Sequence, residues 1–144
     1  MSKPFHIIVA DDDDDDQFII KEAIKEFNNH QIQVTSVYDG SQLIDCLNKK
    51  GLFAKENLGK TDLILLDINM PILNGLEALS KIKSDKTMKD IPVYMISTMR
   101  TIEKMDACLS LGASNFYSKP NHISGYKSII EEIFTSTLYA QHQF

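Results

Sequence analysis

Apolar residues follow two alternating patterns along the chain: short continuous runs, and longer stretches in which they recur every three or four positions. The short runs predict buried strands, and the longer stretches predict helices with one buried face. A helical stretch follows each run, and the last one carries apolar residues from 123 to 133. The five predicted strands cover residues 5–10, 33–37, 63–66, 92–96 and 114–118.

This strict alternation predicts an α/β fold with five parallel strands. Crossovers between parallel strands are right-handed, so we expect a doubly wound sheet with helices on both faces. A length of 144 residues, 43% of them hydrophobic, suits one core rather than two. The connection over residues 52–61 is polar and rather long, and we expect it to be mobile or an insertion.

Residues that can carry chemistry stand where the predicted strands end. Six consecutive aspartates, residues 11–16, follow the first strand, and Asp67 follows the third. The fourth strand leads to Ser97, and the fifth leads to Lys119. Ligands of doubly wound sheets bind beyond the carboxyl ends of the strands. We therefore expect these acids, the hydroxyl and the lysine to share one pocket.

Three of the acids, Asp11, Asp12 and Asp67, predict a divalent cation, because carboxylates this close repel one another. Mg²⁺ is suitable because it binds few protein carboxylates and also phosphate oxygens. Phosphoryl transfer depends mainly on positioning and charge neutralisation. Asp67 is then the candidate nucleophile, forming an acyl phosphate, with Lys119 and Ser97 serving the phosphoryl oxygens.

The other four aspartates, residues 13–16, have a simpler interpretation. Acidic residues at the start of a helix cap its free N–H groups and complement its dipole. We expect these four to begin the first helix and to add negative potential near the pocket, without binding the metal.

Charge and cysteine content restrict the setting. The net charge of −5 argues against a nucleic-acid partner, which would need clustered Lys and Arg. No apolar stretch approaches the length of a membrane span, so we expect no membrane partner. The two cysteines, Cys46 and Cys108, are expected to be free buried thiols, which predicts a cytoplasmic protein.

Four motifs resemble those of response regulator receiver domains. The sequence Asp-Ile-Asn-Met-Pro-Ile-Leu-Asn-Gly at residues 67–75 is similar to the phosphoacceptor signature of that family. The sequences Val-Ala-Asp-Asp at 9–12, Ser-Thr at 97–98 and Lys-Pro at 119–120 complete the pattern. Each motif alone is weak, but four in this order and spacing form a specific signal. The resemblance runs from about residue 5 to about residue 133.

The resemblance implies a flavodoxin-like (βα)₅ fold with strand order 2-1-3-4-5. It implies a single receiver domain over residues 1–144, with its core at about 5–133 and a C-terminal helix extension at 134–144. Such a domain accepts a phosphoryl group from a histidine kinase or histidine phosphotransfer protein. It is a signalling phosphoacceptor and not an enzyme, since it catalyses only its own phosphorylation and dephosphorylation.

Metal ligands carry over from the family residue by residue. The resemblance implies Mg²⁺ or Mn²⁺ bound by Asp12 and Asp67 directly, by Asp11 mostly through water, and by the backbone carbonyl of Asn69. Asp67 is the implied phosphoacceptor.

The switch residues carry over in the same way. Lys119 is expected to pair with the phosphoryl group, Ser97 to move toward it, and Phe116 to be the switch aromatic. Asn69 and Met99 stand at positions that tune the lifetime of the acyl phosphate. Because Met99 cannot align a hydrolytic water by hydrogen bonding, slow autodephosphorylation is expected.

The partner surface is expected on the fourth helix, fifth strand and fifth helix, which a homodimer could also use. The chain resembles single-domain regulators that work beside phytochrome-type or hybrid histidine kinases, and its downstream target protein is unknown. The apolar residues of the tail either contact a homodimer partner or kinase, or belong to a frayed terminus. They are Phe134, Leu138, Tyr139 and Phe144.

Three other functions are alternatives to the phosphoacceptor. A receiver-like docking module that acts without phosphorylation stays open. A Mg-dependent aspartyl phosphohydrolase ranks low, because it needs a second acid two residues after the nucleophile, where Asn69 stands. A flavodoxin-like electron carrier is excluded, because the aspartate run would repel the flavin phosphate.

Overall fold

Strands and helices alternate in the computed structural model, which describes residues 4–27, 32–55, 59–98 and 101–142, with side chains as far as residue 137. The described strands are β1 (Phe5–Ala10), β2 (Ile32–Val37), β3 (Leu63–Leu66), β4 (Val93–Ser97) and β5 (Asn115–Ser118). The described α-helices are α1 (Asp14–Lys25), α2 (Gly40–Asn48), α3 (Gly75–Ser84), α4 (Ile102–Leu111) and α5 (Ile123–His142). The strands form one parallel sheet in the order β2-β1-β3-β4-β5, which confirms the predicted doubly wound fold.

The core has two layers, one on each face of the sheet. Strands β1 and β3 are buried along their whole length, because helices cover both faces. Ile8 and Leu66 pack on the side of α2, α3 and α4. Ile7 and Leu65 pack on the side of α1 and α5. Alternate residues of each central strand therefore belong to opposite halves of the core.

Side-chain caps explain where four of the described helices begin. The Asp13 side chain caps α1, Asp39 caps α2, and Thr101 caps α4. Asn74 and Glu77 form a reciprocal capping box at the start of α3. The predicted start of the first helix within residues 13–16 is confirmed, because a cap residue is a local signal.

Part of the connection after α2 belongs to the core. Residues Gly51–Phe53 form a 3₁₀ turn, and Phe53 is only 7% exposed, packed with α2 and α3. The expectation of a mobile loop over residues 52–61 is therefore wrong for Phe53, whereas an insertion stays a prediction. Its buried aromatic ring anchors the chain. Residues 56–58 lie outside the described part.

The last helix continues beyond the expected end of the core at residue 133. Phe134 is buried and packs edge-on against the rings of Phe5 and Phe27, with centroids 6.1 and 5.0 Å away. The hydroxyl of Thr137 lies 3.3 Å from that of Tyr94. A frayed terminus therefore does not describe residues 134–137. The side chains of residues 138–142 and the whole of Phe144 lie outside the described part.

Candidate functional site

Three predicted acids meet at the carboxyl edge of the sheet. Carboxylate oxygens of Asp11, Asp12 and Asp67 lie within 4.8 Å of one another. Asp11 and Asp67 are buried, whereas Asp12 is exposed. Mg²⁺ holds oxygen ligands at about 2.1 Å, so neighbouring ligand oxygens lie roughly 3–4 Å apart. A small contraction of the cluster would meet this requirement, and the donor set therefore fits Mg²⁺ or Mn²⁺.

Lys119 lies at the centre of the site. Its ammonium nitrogen is 2.7 Å from Asp16, 2.9 Å from Asp11 and 3.0 Å from Asp67, measured to one carboxylate oxygen of each. Only 9% of the lysine side chain is exposed. Burial alone would lower the pKa of Lys119, but the carboxylates, Asp16 and Asp11 first, outweigh burial and raise it. Lys119 therefore stays charged, donating hydrogen bonds to Asp16 and Asp67 and pairing with Asp11.

Asp11 carries a charge that the lysine compensates incompletely. Burial raises its pKa from 3.8 to about 6, against the N–H of Asp13 and the ammonium of Lys119, which act to lower it. The neighbouring Asp67 carboxylate raises this pKa further. A buried acid that resists ionisation beside another acid marks a place where a further positive charge is stabilising.

Asp16 is a residue of the site that sequence reasoning missed. The interpretation of residues 13–16 as a helix start is confirmed, because Asp13 caps α1 and the next three aspartates form its first turn. Asp14 and Asp15 are exposed, whereas Asp16 also makes the shortest of the three described ion pairs of Lys119. A signal was present, because Asp16 lies four residues before the buried Ile20 and so on the same helical face.

Gln17 was missed as well. Its side-chain nitrogen lies 3.0 Å from the carbonyl oxygens of Val9 and Asp11 and 2.9 Å from that of Val37. This buried amide joins the ends of β1 and β2 and holds the backbone that carries the acid pair. A single Gln has no sequence signal for such a role.

The turn after β3 brings the backbone close to Asp67. The N–H of Asn69 is 3.4 Å from a carboxylate oxygen of Asp67, and the Asn69 side chain is exposed. The N–H of Gly75 donates to the carbonyl of Ile68 at 2.8 Å. A Cβ atom at Gly75 would overlap the carbonyl oxygen of Asp67. Glycine is required here because of this close approach.

The same turn contains an unusual backbone conformation. Ile72 has a φ of 69° and stands between the carbonyl of Pro71 and the N–H of Leu73, which are joined by a 2.7 Å hydrogen bond. A positive φ is rare for a β-branched residue. The Ile72 side chain is 82% exposed. The strained turn leads the chain from the end of β3 into α3.

The other predicted residues occupy the ends of β4 and β5. Ser97 is fully buried as the last residue of β4, and its carbonyl accepts a 3.0 Å hydrogen bond from the backbone N–H of Lys119. Phe116 is buried in the core layer of α2, α3 and α4, and pairs with Met95 in the sheet. Met99 lies outside the described residues. The switching roles of Ser97 and Phe116 stay predictions.

A comparison with known proteins decides the family. The family model of the response regulator receiver domain matches residues 7–131 of the sequence. The chain belongs to this family. Receiver domains are phosphoacceptor signalling modules rather than conventional enzymes, so the predicted family and the general function are confirmed.

Curated relatives of the chain include plant response regulators. ARR3 of Arabidopsis thaliana is 30% identical over 131 residues, which cover 89% of this chain and 55% of the relative. ARR15 of the same plant is 30% identical over 134 residues, which cover 92% of this chain and 64% of the relative. The chain thus spans less than two thirds of the length of these relatives.

Solved structures with the same fold include regulators linked to phytochromes. The phosphorylated cyanobacterial phytochrome response regulator RcpA is 31% identical with a TM-score of 0.86, and the match covers 94% of this receiver and 95% of RcpA. The bacteriophytochrome response regulator RtBRR is 28% identical with a TM-score of 0.77, and the match covers 90% of this receiver and 78% of RtBRR.

None of the described helices of this receiver combines the length and apolar character that a membrane crossing requires.

Proposed function

We propose that Asp67 accepts a phosphoryl group from a histidine kinase or histidine phosphotransfer protein, and that the acyl phosphate switches the binding of a partner protein. The observation that carries this proposal is the sharing of one buried lysine among three carboxylates at the carboxyl edge. Acids in excess over one cation suit a site that receives a metal ion. Membership of the receiver family supports the same assignment.

In the proposed reaction, a carboxylate oxygen of Asp67 attacks the phosphorus of the donor phosphohistidine. An O–P bond forms and the P–N bond breaks, while its electron pair stays on the imidazole nitrogen, which takes a proton from solvent. Lys119, 3.0 Å from the Asp67 carboxylate, neutralises charge on a phosphoryl oxygen. Burial of Asp67 keeps bulk water from the acyl phosphate.

The cofactor in this proposal is Mg²⁺ or Mn²⁺. Asp11, Asp12, Asp67 and the backbone carbonyl of Asn69 would hold the ion. Once bound, the metal would neutralise charge on the transferring phosphoryl oxygens.

Switching and decay are assigned to residues around the acids. We assign the response to the phosphoryl group to Ser97, Lys119 and Phe116. The lifetime of the acyl phosphate, including its self-catalysed loss, is assigned to Asn69 and Met99.

The surface formed by α4, β5 and α5 is the proposed contact for the partner and for a homodimer. Leu109 and Leu111 on α4 are 45% and 37% exposed, which suits an apolar contact. The likeness to phytochrome response regulators makes a phytochrome-type kinase the proposed donor. A receiver core at about 5–133 with a helix extension at 134–144 is part of the proposal. So is a cytoplasmic location, since Cys46 and Cys108 are buried thiols.

Intact-mass measurement after incubation with acetyl phosphate and Mg²⁺ tests the phosphoacceptor. We expect the wild type to gain one phosphoryl group and Asp67→Asn to gain none. Asp62→Asn, just before the opposite end of β3, is the matched control and should gain the group as the wild type does. If the wild type stays unmodified with Mg²⁺, the phosphoacceptor proposal is wrong, and the receiver-like docking module that acts without phosphorylation takes its place.

A further inference from the structure

Lys119 has more anionic partners than it can keep once Asp67 is modified. Its ammonium donates hydrogen bonds to Asp16 and Asp67 and forms an ion pair with Asp11, all within 3.0 Å. A phosphoryl group on Asp67 adds strongly charged oxygens beside the same nitrogen. Lys119 can turn toward them only by giving up one of its present partners.

Asp16 is the partner that costs least to release. Asp11 is 2% exposed, and its other carboxylate oxygen accepts the N–H of Asp13 at 3.0 Å. Asp67 itself carries the phosphoryl group, so it cannot be the partner that moves away from that group. The Asp16 side chain is 22% exposed, so water can solvate its carboxylate when the lysine leaves.

We propose that Asp16 is a positioning residue that competes with the phosphoryl group for Lys119. It holds the ammonium in the unmodified protein and releases it when Asp67 is phosphorylated. The inference rests on the proposed phosphoryl acceptance at Asp67. Because the Asp16 ion pair stabilises only the unmodified state, Asp16 slows phosphorylation and disfavours the acyl phosphate.

The competition reaches α5 through Tyr126. Its hydroxyl is 3.5 Å from the second carboxylate oxygen of Asp16, and the ring is 3% exposed in the core layer between α1 and α5. Burial raises the pKa of Tyr126 to about 12, and the Asp16 charge raises it too. When Lys119 leaves Asp16, the phenol faces a less neutralised carboxylate. The electronic environment of Tyr126 therefore reports whether the ion pair is intact.

The rate of phosphorylation by acetyl phosphate with Mg²⁺ gives the first test. We expect Asp16→Asn to take up the phosphoryl group roughly two- to fivefold faster than the wild type, the range for loss of a partly exposed ion pair. Asp15→Asn removes the same charge one residue away, from an exposed side chain, and should react at the wild-type rate. An Asp16→Asn rate equal to or below that of Asp15→Asn would overturn the inference.

Fluorine NMR of protein labelled with 3-fluorotyrosine gives the second test, with the Tyr126 signal assigned from Tyr126→Phe. On phosphorylation this signal should shift in the wild type and in Asp15→Asn, and the shift should fall at least threefold in Asp16→Asn. A residue that only supports the fold would leave this response unchanged, and such a result overturns the inference. If the wild type takes up no phosphoryl group, the proposed function falls with it. If it does and the variants behave alike, only this inference falls.

Discussion

A buried titratable group lies at each end of strand β1, and the two groups differ in the charge balance of their surroundings. At the amino end, the ring nitrogens of His6 lie 2.8 Å from the hydroxyl of Thr35 and 3.4 Å from that of Thr61. Burial lowers the pKa of His6, although Asp62 acts to raise it. At the carboxyl end, Asp11 shares Lys119 with two other acids, and burial raises its pKa to about 6.

The difference separates a structural polar group from a functional one. His6 is neutral and has hydroxyl partners, so its network is complete as folded. The carboxyl end has an excess of negative charge, which is stabilised only when further positive charge arrives. Burial alone does not identify a site, because both groups are buried; the charge balance of the surroundings does.

The largest expected effect comes from replacing Gly75 at the carboxyl end of the sheet, with Gly59 at the amino end as its control. Gly75→Ala should lower the free energy of unfolding by roughly 3 kcal/mol, because its Cβ overlaps the carbonyl oxygen of Asp67 and must displace the turn. Gly59 lies near His6 at the amino end, and no atom of the described residues, apart from its chain neighbours, is within 4 Å of an added Cβ. Gly59→Ala should therefore have little effect. Urea denaturation measures both. Equal losses would show that the carboxyl end is not the more constrained one.

A smaller effect is expected from the cation itself. Saturating Mg²⁺ should stabilise the wild type by about 1–3 kcal/mol, because it binds the folded acid cluster and not the unfolded chain. Asp12→Ala should lose this gain together with Mg-dependent phosphorylation. Asp14→Ala, at an exposed position of the same aspartate run, should keep both. Thermal unfolding with and without Mg²⁺ measures the gain, and equal losses in the two variants would contradict the division of the run.

The smallest effect is a pH dependence that differs between the two ends. Folded His6 has a pKa below 6.5, so the unfolded chain binds more protons, and stability falls as pH decreases below 6.5. Asp11 acts in the opposite direction in the metal-free protein. Its folded pKa is raised from 3.8 to about 6, so stability falls as pH rises through that window.

Urea denaturation from pH 7 downward measures the His6 part of this dependence. His6→Gln should remove the loss of stability below pH 6.5 that His6 causes, whereas His122→Gln, at an exposed position, should retain it. A wild-type slope that survives in His6→Gln would mean that His6 is not the group responsible.

Most of the fold and the principal acids were predictable because their signals are local. Apolar runs such as Leu63–Leu66 identify buried strands, and cap residues such as Asp13 mark helix starts within a few positions. Parallel strands expose their carboxyl ends at one edge, and this rule predicted that Asp67 and Lys119, 52 positions apart, lie close together. That rule needs only the order of elements, not their packing.

Other features depended on how the elements pack. Four aspartates in a row look alike in sequence, and only the orientation of α1 on the sheet brings Asp16, rather than Asp14 or Asp15, to Lys119. The partners of His6 come from distant segments, and Phe53 is buried because the helices leave a place for its ring. The sequence by itself determined the order of elements and the acids at their ends, because these signals are carried by neighbouring residues. Only the tertiary structure decided which charge meets which, because ion pairs depend on distances of a few ångströms between segments far apart in the chain.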